Sequence, residues 1–291
     1  MGLRSSLNNI NQILYWRNYA KKLEEHWFLC TRSIGDTVIF LSKLKAYRDK
    51  NPGEKIRLIV SENHVPFVKG YSDYIDEYKV LPYEKMCAST SIGFKGLLPD
   101  NLKYILPSSS SIILGYKSMS IFDLMNMTLG LDPDTGYEKP HFQWKNKKEF
   151  LASKGVEKGK FVFLAPSSVS VNSNNADMWK KIISCVKKKG YKVLINKGSY
   201  DNNLFENEEV VSLPLDKAYL LAEDSALFIG MRSGICDLLG FSSSKMLVLY
   251  PDGREADMKS FTFSNMPFDK SIEECYESQA VSRVNEMLDH I

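Results

Sequence analysis

Two short segments hold residue types that could do chemistry. In Trp27-Phe28-Leu29-Cys30-Thr31-Arg32-Ser33-Ile34-Gly35-Asp36-Thr37-Val38-Ile39-Phe40 an apolar run stops at a small polar turn with one glycine, and an apolar helix follows. That is a strand-turn-helix opening, the element at which an open α/β sheet presents its ligands. Asp36 falls in the first turn of the helix, where the dipole favours an ionised carboxylate. Held at the C-terminal edge of a parallel sheet, it is placed to accept a proton. The alternative is an acid that only stabilises its own helix.

The second segment is Ile229-Gly230-Met231-Arg232-Ser233-Gly234-Ile235-Cys236-Asp237-Leu238-Leu239-Gly240. A buried strand runs into Arg-Ser-Gly, where a short apolar helix begins. Ser233 is suited to cap that helix, and Gly234 lets a ligand approach the backbone. Free amides at a positive helix end attract a phosphate, and the Arg232 fork fits phosphate oxygens. Asp237, one turn on, could orient Arg232 or bind a sugar hydroxyl. The bland alternative is a capped core helix with its arginine in solvent.

Two further strand ends add similar groups. Pro166-Ser167-Ser168-Val169-Ser170 is a hydroxyl-rich turn able to donate to phosphates or sugars, and Asn196-Lys197-Gly198-Ser199 puts a cation and a glycine at the next strand end. Ser167, Ser168, Asn196, Lys197, Gly198, Arg232, Ser233, Gly234 and Asp237 thus form a candidate pyrophosphate site. The four histidines, His26, His64, His141 and His290, fall in unrelated contexts, and none is assigned to a metal. The chain has no Gly-x-x-x-x-Gly-Lys-Ser/Thr loop and no Gly-x-Gly-x-x-Gly after any predicted strand, which argues against a P-loop ATPase and a dinucleotide oxidoreductase.

The elements that must position these residues alternate. The pattern predicts an amphipathic helix over 6–25, packed on the first domain rather than lying on a membrane, then strands at 27–31, 55–60, 78–82 and 112–115. Helices are expected at 36–49, 63–70 and 121–129. Leu131 to Pro140, rich in Pro and Gly, reads as a domain connection. The pattern then restarts, with strands at 160–165, 191–196, 210–213, 226–230 and 245–250. Helices are expected between them at 176–189, 215–223 and 233–239, with a last one over 272–291. Alternation with short turns means mostly parallel sheets. Two such units create a cleft lined by the C-terminal ends of both sheets, a usual place for a nucleotide-type ligand.

Bulk properties narrow the classes. The chain has 291 residues, 44% hydrophobic and 25% charged, a globular composition with room for two domains. No apolar run approaches the roughly 18 residues of a membrane span. No signal-peptide core stands at the front, so a cytoplasmic protein is expected, with the inner membrane face as an alternative. Five scattered cysteines give neither a disulfide framework nor a zinc motif, and the Asn126-Met127-Thr128 sequon is read as chance. The net charge of +3 divides into +4 for residues 1–145 (19 basic, 15 acidic) and −1 for 146–291 (19 basic, 20 acidic). This is too little to indicate nucleic acid; the basic front half would suit an anionic acceptor or a membrane surface.

Ser33-Ile34-Gly35-Asp36 before a helix, Asn51-Pro52-Gly53-Glu54-Lys55-Ile56 before the second strand, and Tyr74-Ile75-Asp76-Glu77 before the third resemble the heptosyltransferase-like glycosyltransferases. This is the group around the ADP-heptose:lipopolysaccharide enzymes. The resemblance spans nearly the whole chain through short motifs. It implies a GT-B-like α/β fold, with two Rossmann-like domains whose mostly parallel sheets face a central cleft. Residues 1–140 would form the acceptor-side domain and 141–270 the nucleotide-sugar domain, with a helix at 271–291 packing back on the first. Asp36 would be the general base of an inverting, metal-independent transfer, with no cofactor beyond a nucleotide diphosphate sugar as donor. The acceptor would be a hydroxyl of a glycan, glycolipid or glycoprotein in bacterial surface synthesis.

At the back, the family's usual Asp, Thr or Ser, Gly, two residues, His becomes Arg232-Ser233-Gly234-Ile235-Cys236-Asp237. The family's cation before the Trp helix is also not evident in Asn172 to Trp179. These departures point away from ADP-heptose. Arg-Ser-Gly is similar to the pattern of surface-polysaccharide transferases with other donors. The alternatives are a nucleotide-sugar epimerase of similar shape and a non-catalytic partner subunit.

Overall fold

The computed structural model describes residues 3–31, 33–86, 98–105, 119–168, 175–198, 202–253 and 262–291, with only the backbone of 3–10, 202 and 203. The strand expected at 112–115 lies outside these residues. So do Arg32, Val169 to Asn174 and Ser199. The chain divides into two compact units, Met1–His141 and Phe142–Ile291.

The first unit holds a parallel sheet in the order β3-β2-β1-β4, built from β1 (Trp27–Leu29), β2 (Arg57–Ser61), β3 (Glu77–Leu81) and β4 (Leu102–Tyr104). β4 carries none of the length or β-branching that marks a strand in sequence, yet it lies beside β1, with Phe28 opposite Lys103. β1 is covered on both faces. Trp27 and Leu29 pack with Trp16, Ala20 and Leu23 at the end of helix α1 (Leu3–Ala20). Phe28 points the other way, its ring 5.4 Å from Phe40 and 5.3 Å from Tyr47. Trp16 is fully buried, so the first helix is part of this core.

The single helix expected at 36–49 is two, α2 (Ile34–Leu41) and α3 (Leu44–Lys50), separated at Ser42 and Lys43. Lys43 lies at the break. Its side chain is wholly buried, and Nζ donates to the carbonyls of Thr135 at 2.5 Å and Gly136 at 3.0 Å. It also lies 5.1 Å from the Phe122 ring on α5 (Ile121–Leu129). The 131–140 segment is therefore strapped to the first unit: Glu138 donates its N–H to Ser42 O, Tyr71 Oη donates to Glu138 O, and His141 N–H reaches Gly70 O at the end of α4 (Val65–Gly70).

The second unit is a six-stranded parallel sheet in the order β10-β9-β8-β5-β6-β7. Its strands are β5 (Phe161–Ala165), β6 (Lys192–Asn196), β7 (Glu209–Val211), β8 (Leu227–Met231), β9 (Met246–Tyr250) and β10 (Glu273–Tyr276). Its helices are α6 (Lys147–Ser153), which the pattern missed, α7 (Ala176–Lys188), α8 (Leu215–Asp224), α9 (Gly234–Gly240) and α10 (Ala280–Asp289). β5, β8 and β9 are buried at every position, as apolar runs inside a doubly covered sheet should be.

The chain end departs from expectation at its start. Residues 273–276 extend the sheet beside β9 before the helix starts, with Cys275 turned into the core. The helix, read as bracing the first domain, buries Ala280, Val284 and Leu288 in the core of the second unit, with Ile183 and Val186 of α7. The i, i+4, i+8 spacing makes one apolar stripe, and α7 offers the matching one.

Lys43 gives a direct test of the first unit. Lys43→Met leaves two buried carbonyls without their donor and should lower the unfolding free energy by about 1–3 kcal/mol for each. Burial holds the amine's pKa down to about 8, against the pull of Asp123. The unfolded chain keeps an ordinary lysine near ~10.4 and so binds more protons between those values, which makes stability rise with pH there. The advantage of wild type over Lys43→Met is expected to grow from about pH 8 to about pH 10 in urea denaturation.

Candidate functional site

In a parallel sheet all C-terminal strand ends share one edge, and the crevice opens where the winding direction reverses. In the first unit the chain runs β1, β2, β3 to one side and returns to place β4 on the other, so the reversal lies between β1 and β4. The turn after β1 carries Asp36.

That turn is held by side chains. Ser33 stands at the cap position of α2 with extended backbone but makes no side-chain cap bond. Thr31 Oγ1 accepts the Ser33 N–H at 3.1 Å, and Thr37 Oγ1 donates to Thr31 O at 3.2 Å. His64, which closes the 3-10 turn Glu62–His64 after β2, places Nδ1 3.4 Å from Thr37 Oγ1. Asp36 sits between these anchors in the first turn of α2, 3% exposed. Bulk water barely reaches it.

The second unit reverses between β5 and β8. Ser167 and Ser168 follow β5 and Arg232 to Gly234 follow β8, so both groups flank that point. Asn196 to Gly198 end β6, the next strand over. The sheet thus brings the predicted residues to one edge, but their side chains divide into two kinds.

Arg232 and Asp237 are both buried and face each other in a bidentate pair, Nη1 to Oδ2 at 3.0 Å and Nη2 to Oδ1 at 2.7 Å. Nη1 also donates to Ser233 O at 3.1 Å. The Phe263 ring lies 4.7 Å from the guanidinium carbon. Burial alone would lower the pKa of Arg232, but Asp237 and Tyr250 hold it above the ordinary arginine value. Burial pushes the Asp237 carboxyl up, against the pull of Arg232. The expected open phosphate fork is closed, because a buried guanidinium needs its counter-charge. Of the two roles read for Asp237, the geometry is that of orienting Arg232.

Ser168 is also occupied. Its hydroxyl donates to Arg232 O at 2.9 Å, tying the end of β5 to the end of β8. Ser233 occupies the cap position of α9, but its hydroxyl turns back to Met231 O at 2.9 Å and caps no amide. Cys236 Sγ donates to the same carbonyl at 3.2 Å, and burial raises that thiol to about 11, away from reactive thiolate. Ser167, Asn196, Ser233 and Gly234 are half-buried, while Lys197 and Gly198 are exposed. These are the groups a ligand on this edge can reach.

Two supporting elements escaped the sequence pattern. Glu274 on β10 accepts from Tyr250 Oη at 2.7 Å, Thr262 Oγ1 at 2.5 Å and the Phe263 N–H at 3.1 Å, which holds Phe263 over Arg232. Reading 272–291 as helix hid it. His64 is the other, since a lone histidine carries no spacing signal in the sequence. Among the described residues, no group of three His, Cys, Asp or Glu could hold a metal ion, and no helix is long and apolar enough to cross a membrane.

No protein-family model matches the chain, and no curated protein matches it in sequence. Solved structures do match. The ADP-heptose LPS heptosyltransferase II of E. coli is 10% identical over 91% of this chain and 99% of its own, with a TM-score of 0.58. A family 9 glycosyl transferase from Veillonella parvula is 14% identical over 92% of this chain and 98% of its own, with a TM-score of 0.65. The E. coli heptosyltransferase WaaC, solved with ADP-2-deoxy-2-fluoro heptose, is 11% identical over 90% and 99%, with a TM-score of 0.55. At such identities the likeness establishes the fold, that of GT-B glycosyltransferases.

The closed pair predicts a cost that stability measurements can read. Asp237→Leu leaves Arg232 buried and unmatched and should lower the unfolding free energy of the second unit by about 3–5 kcal/mol. Adding Arg232→Met should recover most of it in chemical denaturation, because the uncompensated charge is then gone.

Proposed function

We propose that this chain is a glycosyltransferase that moves a sugar from a nucleotide diphosphate sugar to a hydroxyl acceptor. The observation that carries the reading is the chemistry of the two reversal points in a fold shared with heptosyltransferases. In the first unit, that point holds a carboxylate on a braced turn. In the second, that point carries hydroxyls, and the next strand end adds an amide side chain and Lys197.

In the proposed step, Asp36 takes the proton of the acceptor hydroxyl, and the oxygen bonds to the anomeric carbon. The bond from that carbon to the diphosphate breaks, its electron pair leaving with the phosphate oxygen. Attack opposite the leaving group inverts the centre. Lys197, Ser167, Asn196 and the Ser233–Gly234 turn would hold the diphosphate, donors fixed in advance being the usual source of such stabilisation. Arg232 and Asp237 serve as the frame of that turn. The acceptor we propose is a glycan or glycolipid of a bacterial surface, supported by the lipopolysaccharide enzyme among the structural neighbours. The donor we propose is other than ADP-heptose, because Arg232 and Asp237 replace the family's Asp and His.

One observation favours a second reading, a non-catalytic partner subunit. The guanidinium expected to meet phosphate is spent on Asp237. A melting-temperature screen with ADP, GDP, UDP, CDP and dTDP separates the two. At about 100 times its dissociation constant, a bound diphosphate adds about 2.7 kcal/mol. A shift with at least one supports the transferase, and none with any supports the silent subunit. With the donor so identified, Asp36→Asn should leave its affinity unchanged and cut turnover by about a hundredfold or more. Full activity in that variant removes Asp36 as the base.

A further inference from the structure

His64 is 1% exposed, with its ring 5.8 Å from Phe67 on α4. Its Nδ1 faces the Thr37 hydroxyl, which also lies 3.2 Å from Thr31 O. A carbonyl oxygen can only accept, so the one proton of that hydroxyl is directed to Thr31 O. The contact with His64 then needs a proton from the imidazole. This assigns the tautomer: in the neutral ring Nδ1 carries the hydrogen and Nε2 does not. The 3.4 Å separation is at the long end for a hydrogen bond.

Thr37 directly follows Asp36, and neighbouring helical residues project about 100° apart. Pinning the Thr37 hydroxyl between the end of β1 and His64 fixes the rotation of the first turn of α2. It therefore sets the direction in which the Asp36 carboxylate leaves the helix. We propose that His64 is a positioning residue of the transfer, holding the Asp36 turn from the β2 side through Thr37. The inference rests on Asp36 as the base. His64 itself touches no reacting atom in this arrangement.

The test uses the whole chain and follows nucleoside diphosphate release from UDP-glucose, GDP-mannose, dTDP-rhamnose and ADP-glucose, with water as acceptor. His64→Leu should lower kcat by about tenfold or more while donor KM stays within about twofold, since a small misaiming of a base is felt in the chemical step. His64→Asn, whose amide can place a donor near the Nδ1 position, should return kcat to within about threefold of wild type. In the Asp36→Asn background His64→Leu should have no further effect. An equal loss there would mean a general packing defect and overturn the proposal, as would an unchanged kcat in His64→Leu. Wild-type kcat in Asp36→Asn would instead sink the underlying reading, independently of His64. If wild type releases nothing from these four sugars, imidazole nitrogen NMR decides alone, with only four histidines to assign. Protonation at Nδ1 in wild type, with loss of that preference in Thr37→Val, is expected; a ring protonated at Nε2 overturns the arrangement.

Discussion

A guanidinium removed from water must be matched, and in the second unit that requirement shapes the turn after β8. Asp237, one turn along α9, engages both ends of the Arg232 fork, Phe263 covers its face, and Ser168 fastens the arginine's carbonyl to the end of β5. Glu274 holds Phe263 in place from the neighbouring edge of the sheet. Each contact leaves the next less free to move. The result is a rigid turn at the reversal point of the sheet with its charge cancelled inside the protein. Its neighbours on that edge, Ser167, Asn196, Lys197, Ser233 and Gly234, are less buried.

The architecture was largely legible because most strands that set it are buried on both faces. Phe161 to Ala165, Leu227 to Met231 and Met246 to Tyr250 read as short apolar runs, and Asp36 and Arg232 could be placed at strand ends from them. Two strands were not legible. Leu102–Tyr104 and Glu273–Tyr276 owe their extended state to the neighbour they pair with, a non-local cause that local composition does not carry. Missing the second hid Glu274.

Within the site, residue types were legible and their partners were not. Ser168, Ser233 and Arg232 are donors in any reading, yet the nearest acceptors belong to their own unit: Arg232 O, Met231 O and Asp237. Proximity to a strand-end carbonyl settles which bond a serine hydroxyl makes, and that distance appears only when β5 and β8 lie side by side. His64 is the same case in the first unit. It stands 27 residues from Thr37 in the chain, and only the parallel pairing of β1 with β2 brings the ring to that hydroxyl.

The two turns share a device and differ in what it delivers. In each, a carbonyl at or just beyond the strand end receives side-chain donors from the following helix or turn, Thr37 on Thr31 O and Ser233 with Cys236 on Met231 O. Such bonds occupy acceptors that would otherwise need water and keep the chain reversal tight. In the first unit the braced turn holds a buried carboxylate, Asp36, which on the proposed reading takes the acceptor's proton. In the second it contains an ion pair already satisfied, which suits neither proton transfer nor direct neutralisation of a dianion. On the proposed reading, charge developing on the leaving diphosphate is met by oriented neutral donors and one lysine, and the selectivity of the donor site then rests on shape and hydrogen bonding more than on net charge.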